Sequence, residues 1–370
     1  MNIPFFNYPA LFAAHEAEYT ETIIDVLKRG AFIMQAELHE FEEQLAAYLG
    51  VKHAIGVADG TMALIMSLKA AGIEPGDEVL VPSHTFIASA AAVHHAGGKP
   101  VLVECGRDHL IDPSRIAEAI TPQTRAIMPV QLNGRVADMD AVQAISDAHG
   151  LLIIEDSCQA LGAKFKGRFA GTFGSAGTFS FFPAKTLGCF GDGGAVTTND
   201  DVIAERVRLL RDHGRAVSGQ VEIWGFNSRL DNVQAAVLLL KLKRYDEDIS
   251  RRREIAAIYQ DKLHDIPELL LPPAPDADTN HFDVFQNYEI EADNREGLRA
   301  FLDEKGIGTI LQWGGQTIHQ FDALDVNHDL EVTEEMTQKF MLLPLHVNLS
   351  DEEVNYISNC VREFYSRVNS

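Results

Sequence analysis

The stretch Phe179-Ser-Phe-Phe-Pro-Ala-Lys185-Thr-Leu-Gly188, continued by Phe190-Gly-Asp-Gly-Gly194, sets one lysine between apolar residues and a glycine-rich turn. A lysine in such surroundings loses hydration as a cation, so its pKa falls and the amine becomes nucleophilic. That chemistry suits a Schiff base with a carbonyl, whereas a lone lysine elsewhere is ordinarily a surface residue. Ser180, on the strand side of the lysine, offers a hydroxyl to a phosphate.

A second stretch, Leu151-Leu-Ile-Ile-Glu155-Asp156-Ser-Cys-Gln159-Ala160, puts acids at the carboxyl end of an aliphatic run. A buried acid there needs a cationic partner. A protonated pyridine nitrogen is a fitting one, because an aspartate keeps such a ring protonated and electron-withdrawing. The alternative is a plain helix N-cap. Gln159 follows one helical turn later, within reach of a ring oxygen. In Asp59-Gly60-Thr61-Met62, Gly60 opens the start of a helix whose free amides favour an anion. In Pro82-Ser-His-Thr-Phe86 the aromatic ring either stacks on a flat cofactor or sits in the core.

The elements that would carry these residues alternate. Helices are expected at 20–29, 38–48, 61–71, 86–95, 113–119 and 139–149, and strands at 54–58, 78–81, 100–103, 126–129 and 151–154. Continuous apolar strands between helices mean a sheet covered on both faces. The loops after its strands are where a ligand is held. A long helix is expected over 231–261, apolar in its first half and charged in its second. Beyond Pro267 the run PPAPDADTNHFD reads as a loop, then a strand near 287–290 and helices at 295–305 and 351–367 follow. This places a large domain at 1–245 and a small one at 246–370.

At 370 residues the chain has room for both. A net charge of −23 argues against general nucleic-acid binding or adsorption on an anionic membrane. Four scattered cysteines (105, 158, 189 and 360) with no CxxC pair give neither a disulfide framework nor a structural zinc site. Fourteen histidines include the adjacent pair His94-His95 but no HExxH, so no metal is expected. The absence of a signal-like start and of a long apolar run points to the cytoplasm.

In this order the motifs resemble the DegT/StrS-like nucleotide-sugar aminotransferases, which are fold-type I pyridoxal-phosphate (PLP) enzymes. The resemblance runs over nearly the whole chain, through RGAFIMQAELHEFE (29–42), GVADGTMAL (56–64), GDEVLVPSHTFIASA (76–90) and IIEDSCQALGAKFKG (153–167), then GTFSFFPAKTLGCFGDGG (177–194) and GFNSRLDNVQAA (225–236). It implies an α/β fold with a large mixed, mostly parallel sheet and a smaller α+β C-terminal domain. It also implies that Lys185 forms the Schiff base and shuttles protons, Asp156 pairs with the pyridinium, Gln159 contacts the ring hydroxyl and Phe86 stacks on the ring. Gly60, Thr61 and Ser180 would hold the phosphate. Asn227 would reach the phosphate of a neighbouring subunit, so a homodimer would share its active sites.

The implied reaction moves an amino group from L-glutamate, released as 2-oxoglutarate, to a keto sugar on a nucleoside diphosphate. The product would serve surface polysaccharide, lipopolysaccharide O-antigen included, or a glycosylated metabolite. Departures from the family pattern fall at Gln35, Gln131-Leu-Asn133-Gly134, Leu161 and Gln312-Trp-Gly-Gly-Gln-Thr-Ile-His319. Arg229, Trp313 and His319 are the substrate-contact candidates. The rivals are a PLP-dependent sugar dehydratase of the same fold, against which Lys185 argues because those relatives carry histidine there, and a non-catalytic PLP-binding regulator.

Overall fold

A computed structural model describes residues 1–324, 326 and 329–368. Its centre is a seven-stranded sheet in the order His53–Val57, Gly194–Thr198, Ala176–Ser180, Leu152–Asp156, Thr124–Ile127, Glu78–Pro82, Lys99–Val103. Four pairings are parallel, and Gly194–Thr198 runs antiparallel to both of its neighbours. The sheet is therefore mixed and mostly parallel, as expected.

Alternation along the strands feeds two cores. Leu80, Ile127 and Ile153 face one, with Leu38, Phe41 and Leu45 of the helix Ala36–Leu49 and Leu238 of Asn232–Leu242. Val79, Val81 and Ile154 face the other, packed by Leu64 and Leu68 of Gly60–Ala70 and Val93 of Ala88–Ala96. The strands look uniformly apolar in sequence because both faces are buried.

A second, antiparallel sheet of Leu269–Leu270, Tyr288–Ala292 and Phe340–Leu343 packs with the helices Tyr245–Leu263, Arg295–Glu304 and Asp351–Val368 around Ile255, Tyr259, Leu298 and Ile357. The long helix expected over 231–261 is two helices, Asn232–Leu242 and Tyr245–Leu263. The break falls at Arg244, whose φ of −115° and ψ of 10° are not helical. Tertiary contacts impose it: the buried Tyr245 hydroxyl reaches the Leu161 carbonyl at 2.7 Å and Thr186 Oγ1 at 2.6 Å. Among the described residues no helix is long and apolar enough to cross a membrane.

Candidate active site

The parallel strands Glu78–Pro82, Thr124–Ile127 and Leu152–Asp156 end side by side, so their following loops open onto one cavity of about 570 Å³. Gly60, Thr61, Phe86, Asp156, Gln159, Ser180, Lys185 and Trp313 all line it.

One wall is the start of the helix Gly60–Ala70. Asp59 caps it by accepting from the Met62 amide at 2.8 Å. The amides of Gly60 and Thr61 have no partner within the helix, so they and the helix dipole favour an anion. Glycine is required at 60 by space: a Cβ there would stand 2.8 Å from Ser180 Cβ and 2.9 Å from Cys158 Sγ.

The floor is the carboxyl end of Leu152–Asp156. Alternation sends neighbouring acids to opposite sides. Glu155 turns into the protein, where its carboxylate accepts from the amides of Gly171 (2.9 Å), Phe173 and Gly174 (3.1 Å) and from Gln131 Nε2 (3.0 Å). Burial pushes its pKa up against those donors. Asp156 faces the cavity, its oxygens accepting from Ser89 Oγ at 2.7 Å and the Cys158 amide at 3.2 Å. Gln159 is turned by the Asn133 amide, which donates to its Oε1 at 2.8 Å. Phe86 lines the cavity and is 52% exposed.

Lys185 comes from the loop between Ala176–Ser180 and Gly194–Thr198. Gln286 clamps that loop on both sides of the lysine, accepting from the Thr186 amide at 2.7 Å and donating to the Ala184 carbonyl at 2.8 Å. Burial lowers the Lys185 pKa, opposed by Cys158 and Asp156. The amine is therefore biased toward its neutral, nucleophilic form.

Asn227, Arg229 and His319 lie outside this cavity lining. Arg229 donates to Asp212 Oδ1 at 2.7 Å and to Asn227 Oδ1 at 2.6 Å, on a strip bridged to Val57. His319 is buried, its Nδ1 at 2.7 Å from Ser83 Oγ, which fastens the 317–320 turn to the loop after Glu78–Pro82. Trp313 does line the cavity, on a turn where it takes a φ of 51° before Gly314 and Gly315. The Ser89 contact and the Glu155 hub were missed in sequence; Ser89 lies in a helix three residues past the Phe86 motif, with no spacing signal of its own. Also missed was the convergence of His84, His109 and Glu289, whose ligand atoms lie within 4.8 Å of one another.

The cavity fits pyridoxal phosphate. The Gly60 cradle, which a Cβ would fill, suits a phosphate; Asp156 suits a pyridinium; the amine of Lys185 suits an aldehyde; Phe86 suits a ring face.

The comparisons agree. Residues 13–362 match the DegT/DnrJ/EryC1/StrS aminotransferase family. A dTDP-3-amino-3,4,6-trideoxy-alpha-D-glucose transaminase of Streptomyces venezuelae is 41% identical over 99% of this chain and 97% of its own. A protein of Geobacillus stearothermophilus named pleiotropic regulatory protein is 37% identical, over 99% of both chains. The crystal structure of S. venezuelae DesV in complex with a ketimine intermediate superposes with a TM-score of 0.95, at 40% identity over 99% of each chain.

Proposed function

The chain belongs to the DegT/DnrJ/EryC1/StrS aminotransferase family and is a PLP-dependent nucleotide-sugar aminotransferase; we propose that its amine donor is L-glutamate, that its acceptor is a keto deoxysugar on a nucleoside diphosphate, and that Lys185 and Asp156 carry the chemistry. The observation that supports these roles is the single cavity uniting Lys185, Asp156, Gln159, Ser180 and the Gly60-Thr61 helix start. The name of the Streptomyces venezuelae relative, a transaminase of a dTDP-linked sugar, makes that nucleotide class the first to test.

When bound, PLP supplies an aldehyde for the amine and a ring that accepts electrons from the breaking bond. Asp156, fixed by Ser89 and the Cys158 amide, holds a proton at the ring nitrogen. Gln159, its Oε1 already accepting, donates from Nε2 to the ring oxygen. The Lys185 ε-amine, its pKa lowered by burial, would take a proton from the substrate carbon and return it to the other side of the C–N bond. The Gly60 and Thr61 amides with Ser180 would hold the phosphate and so fix the cofactor relative to the lysine.

Asn227 and Arg229 act, on this reading, across a homodimer. They line no part of this chain's cavity, and the segment before them exposes Val217, Val221, Ile223 and Trp224, the last at 98%. Such an apolar patch beside site residues suits a subunit interface. The proposed domain division near 245 coincides with the start of the helix Tyr245–Leu263. An amino sugar for surface polysaccharide or a glycosylated metabolite, made in the cytoplasm, is the proposed product.

The test is the visible absorbance of the protein with PLP, before and after L-glutamate. A band that glutamate shifts to shorter wavelength, and that keto-sugar nucleotides restore, supports the reading. A band that glutamate leaves alone refutes the donor, and no band refutes the role of Lys185.

A further inference from the structure

Glu289 is a buried carboxylate on the strand Tyr288–Ala292 of the small sheet, and it gathers side chains from four separate segments. Its Oε1 accepts from His84 Nε2 at 3.0 Å, from His109 Nδ1 and from Asn133 Nδ2 at 3.1 Å; its Oε2 accepts from Gln312 Nε2. Two imidazoles and a carboxylate are residue types that also hold a divalent cation. Here the ring of His109 already spans two carboxylates, its Nε2 lying 3.1 Å from Glu291 Oε1, and the Asn133 amide shares the Glu289 oxygen. Protons thus satisfy the group.

The consequence lies in the amides. A carboxylate only accepts, so Asn133 and Gln312 must turn their NH₂ groups toward it. The Asn133 Oδ1 then points away and accepts from Asn287 Nδ2 and Gln312 Nε2, both at 2.9 Å. Asn287 Nδ2 in turn lies 3.4 Å from Gln159 Oε1, which the Asn133 main-chain amide also reaches at 2.8 Å. With two donors on its oxygen, Gln159 has its NH₂ left for the cavity. A neutral amide at 289 would donate as readily as accept and so loosen the hold on the Asn133 and Gln312 side chains, whereas the Asn133 main-chain amide stays a donor wherever its turn carries it.

We propose that Glu289 is a positioning residue: its charge holds the Asn133 side chain and thereby places the Asn133 main-chain amide, which turns Gln159 Oε1 away and leaves its NH₂ for the cofactor. This rests on the PLP reading of the cavity. It makes the charge of a residue in the small sheet a determinant of how the ring oxygen is held.

The test compares Glu289→Gln, Asn133→Gly and Glu291→Gln with the wild-type protein by fluorescence titration of the apoprotein with PLP and by the pH midpoint of the bound cofactor's visible band. Asn133→Gly deletes the relay while tolerating the φ of 55° at that position. It carries the test if Glu289→Gln does not fold. One misdirected hydrogen bond is worth about a 3- to 10-fold rise in the dissociation constant. That rise and a displaced pH midpoint are expected in the first two variants. Glu291→Gln removes a His109 contact but no amide of the relay, so its dissociation constant should stay within about twofold. Wild-type affinity and spectrum in folded Glu289→Gln or Asn133→Gly would overturn the proposal, as would an equal loss in Glu291→Gln. A wild-type protein with no visible band would instead overturn the reading of the cavity, and the relay with it.

Discussion

Replacing Gly60 by alanine tests whether the helix start holds the phosphate. The added Cβ would stand 2.8 Å from Ser180 Cβ and 2.9 Å from Cys158 Sγ, closer than carbon and sulfur atoms approach. Neither neighbour is a flexible chain end. Ser180 is on a sheet strand, its Cα 3.4 Å from the new atom. Cys158 sits two residues past the strand that carries Asp156. Relief requires a shift of the helix start or of the strand. Overpacking of this kind costs about 1–3 kcal/mol. If the strain is released by displacing the amides from the phosphate, the loss appears in cofactor affinity as roughly 5- to 150-fold. The assay is titration of the apoprotein with PLP and, separately, with pyridoxal, which lacks the phosphate. The loss should fall on PLP and leave pyridoxal within about twofold. Equal losses for both ligands, or wild-type affinity for PLP, would refute the argument.

Lys185→Ala should bind PLP without the visible band and without turnover, checked by absorbance and by 2-oxoglutarate release. His109→Gln should lower the melting temperature in a pH-dependent way. Although burial lowers its pKa, Glu289 and Glu291 push the His109 pKa up to about 10, so its contribution is full below its ordinary value near 6.5 and fades as pH rises toward 10. The gap from wild type in thermal melts should therefore be widest near pH 6 and close above pH 10. Leu38→Ala, in a fully buried position against Leu230 and Gly56, should cost about 2–5 kcal/mol by denaturant unfolding. Trp224→Ser with Val217→Ser should weaken self-association in sedimentation equilibrium. Mixing Lys185→Ala with Asn227→Ala chains should restore activity that neither has alone, and failure of the mixture would refute a shared site.

The elements whose periodicity is local were legible. The helices 113–119 and 139–149 lie where the pattern put them, because an Asp cap opens each and Gly150 closes the second. The residues that line the cavity were legible for a related reason: Gly60 and Thr61 open a helix and Asp156 and Ser180 end strands, where sequence neighbours determine direction. The strand Gly194–Thr198 was hidden by Gly193 and Gly194 at its start, which serve close packing against Phe181 and Asp59 rather than β propensity. The break at Arg244 was hidden because no proline or glycine marks it; Tyr245 is held there by partners from distant segments. The Glu289 group was out of reach for the same reason, since residues 84, 109, 133 and 312 meet only through the packing of the small sheet on the large one. The resemblance singled out Asp156 over its neighbour Glu155, and the pleat of the strand is what separates them in space.

The antiparallel strand also has a mechanical meaning. Ser180 pairs with Gly194, so residues 181–193 form a loop closed at its base by the sheet itself. Gly194 packs within 2.4 Å, measured from a would-be Cβ, of the Asp59 carbonyl. The same stitch that closes the lysine's loop thereby abuts the phosphate cradle. Lys185 is an arm on a short leash, and the cradle is the post to which the leash is tied. Length changes within 181–193 would alter how far the amine travels yet leave the post where it stands. On the roles proposed for Gly60 and Lys185, the fold thus keeps apart two adjustable quantities, how tightly a cofactor is kept and how far a proton is carried.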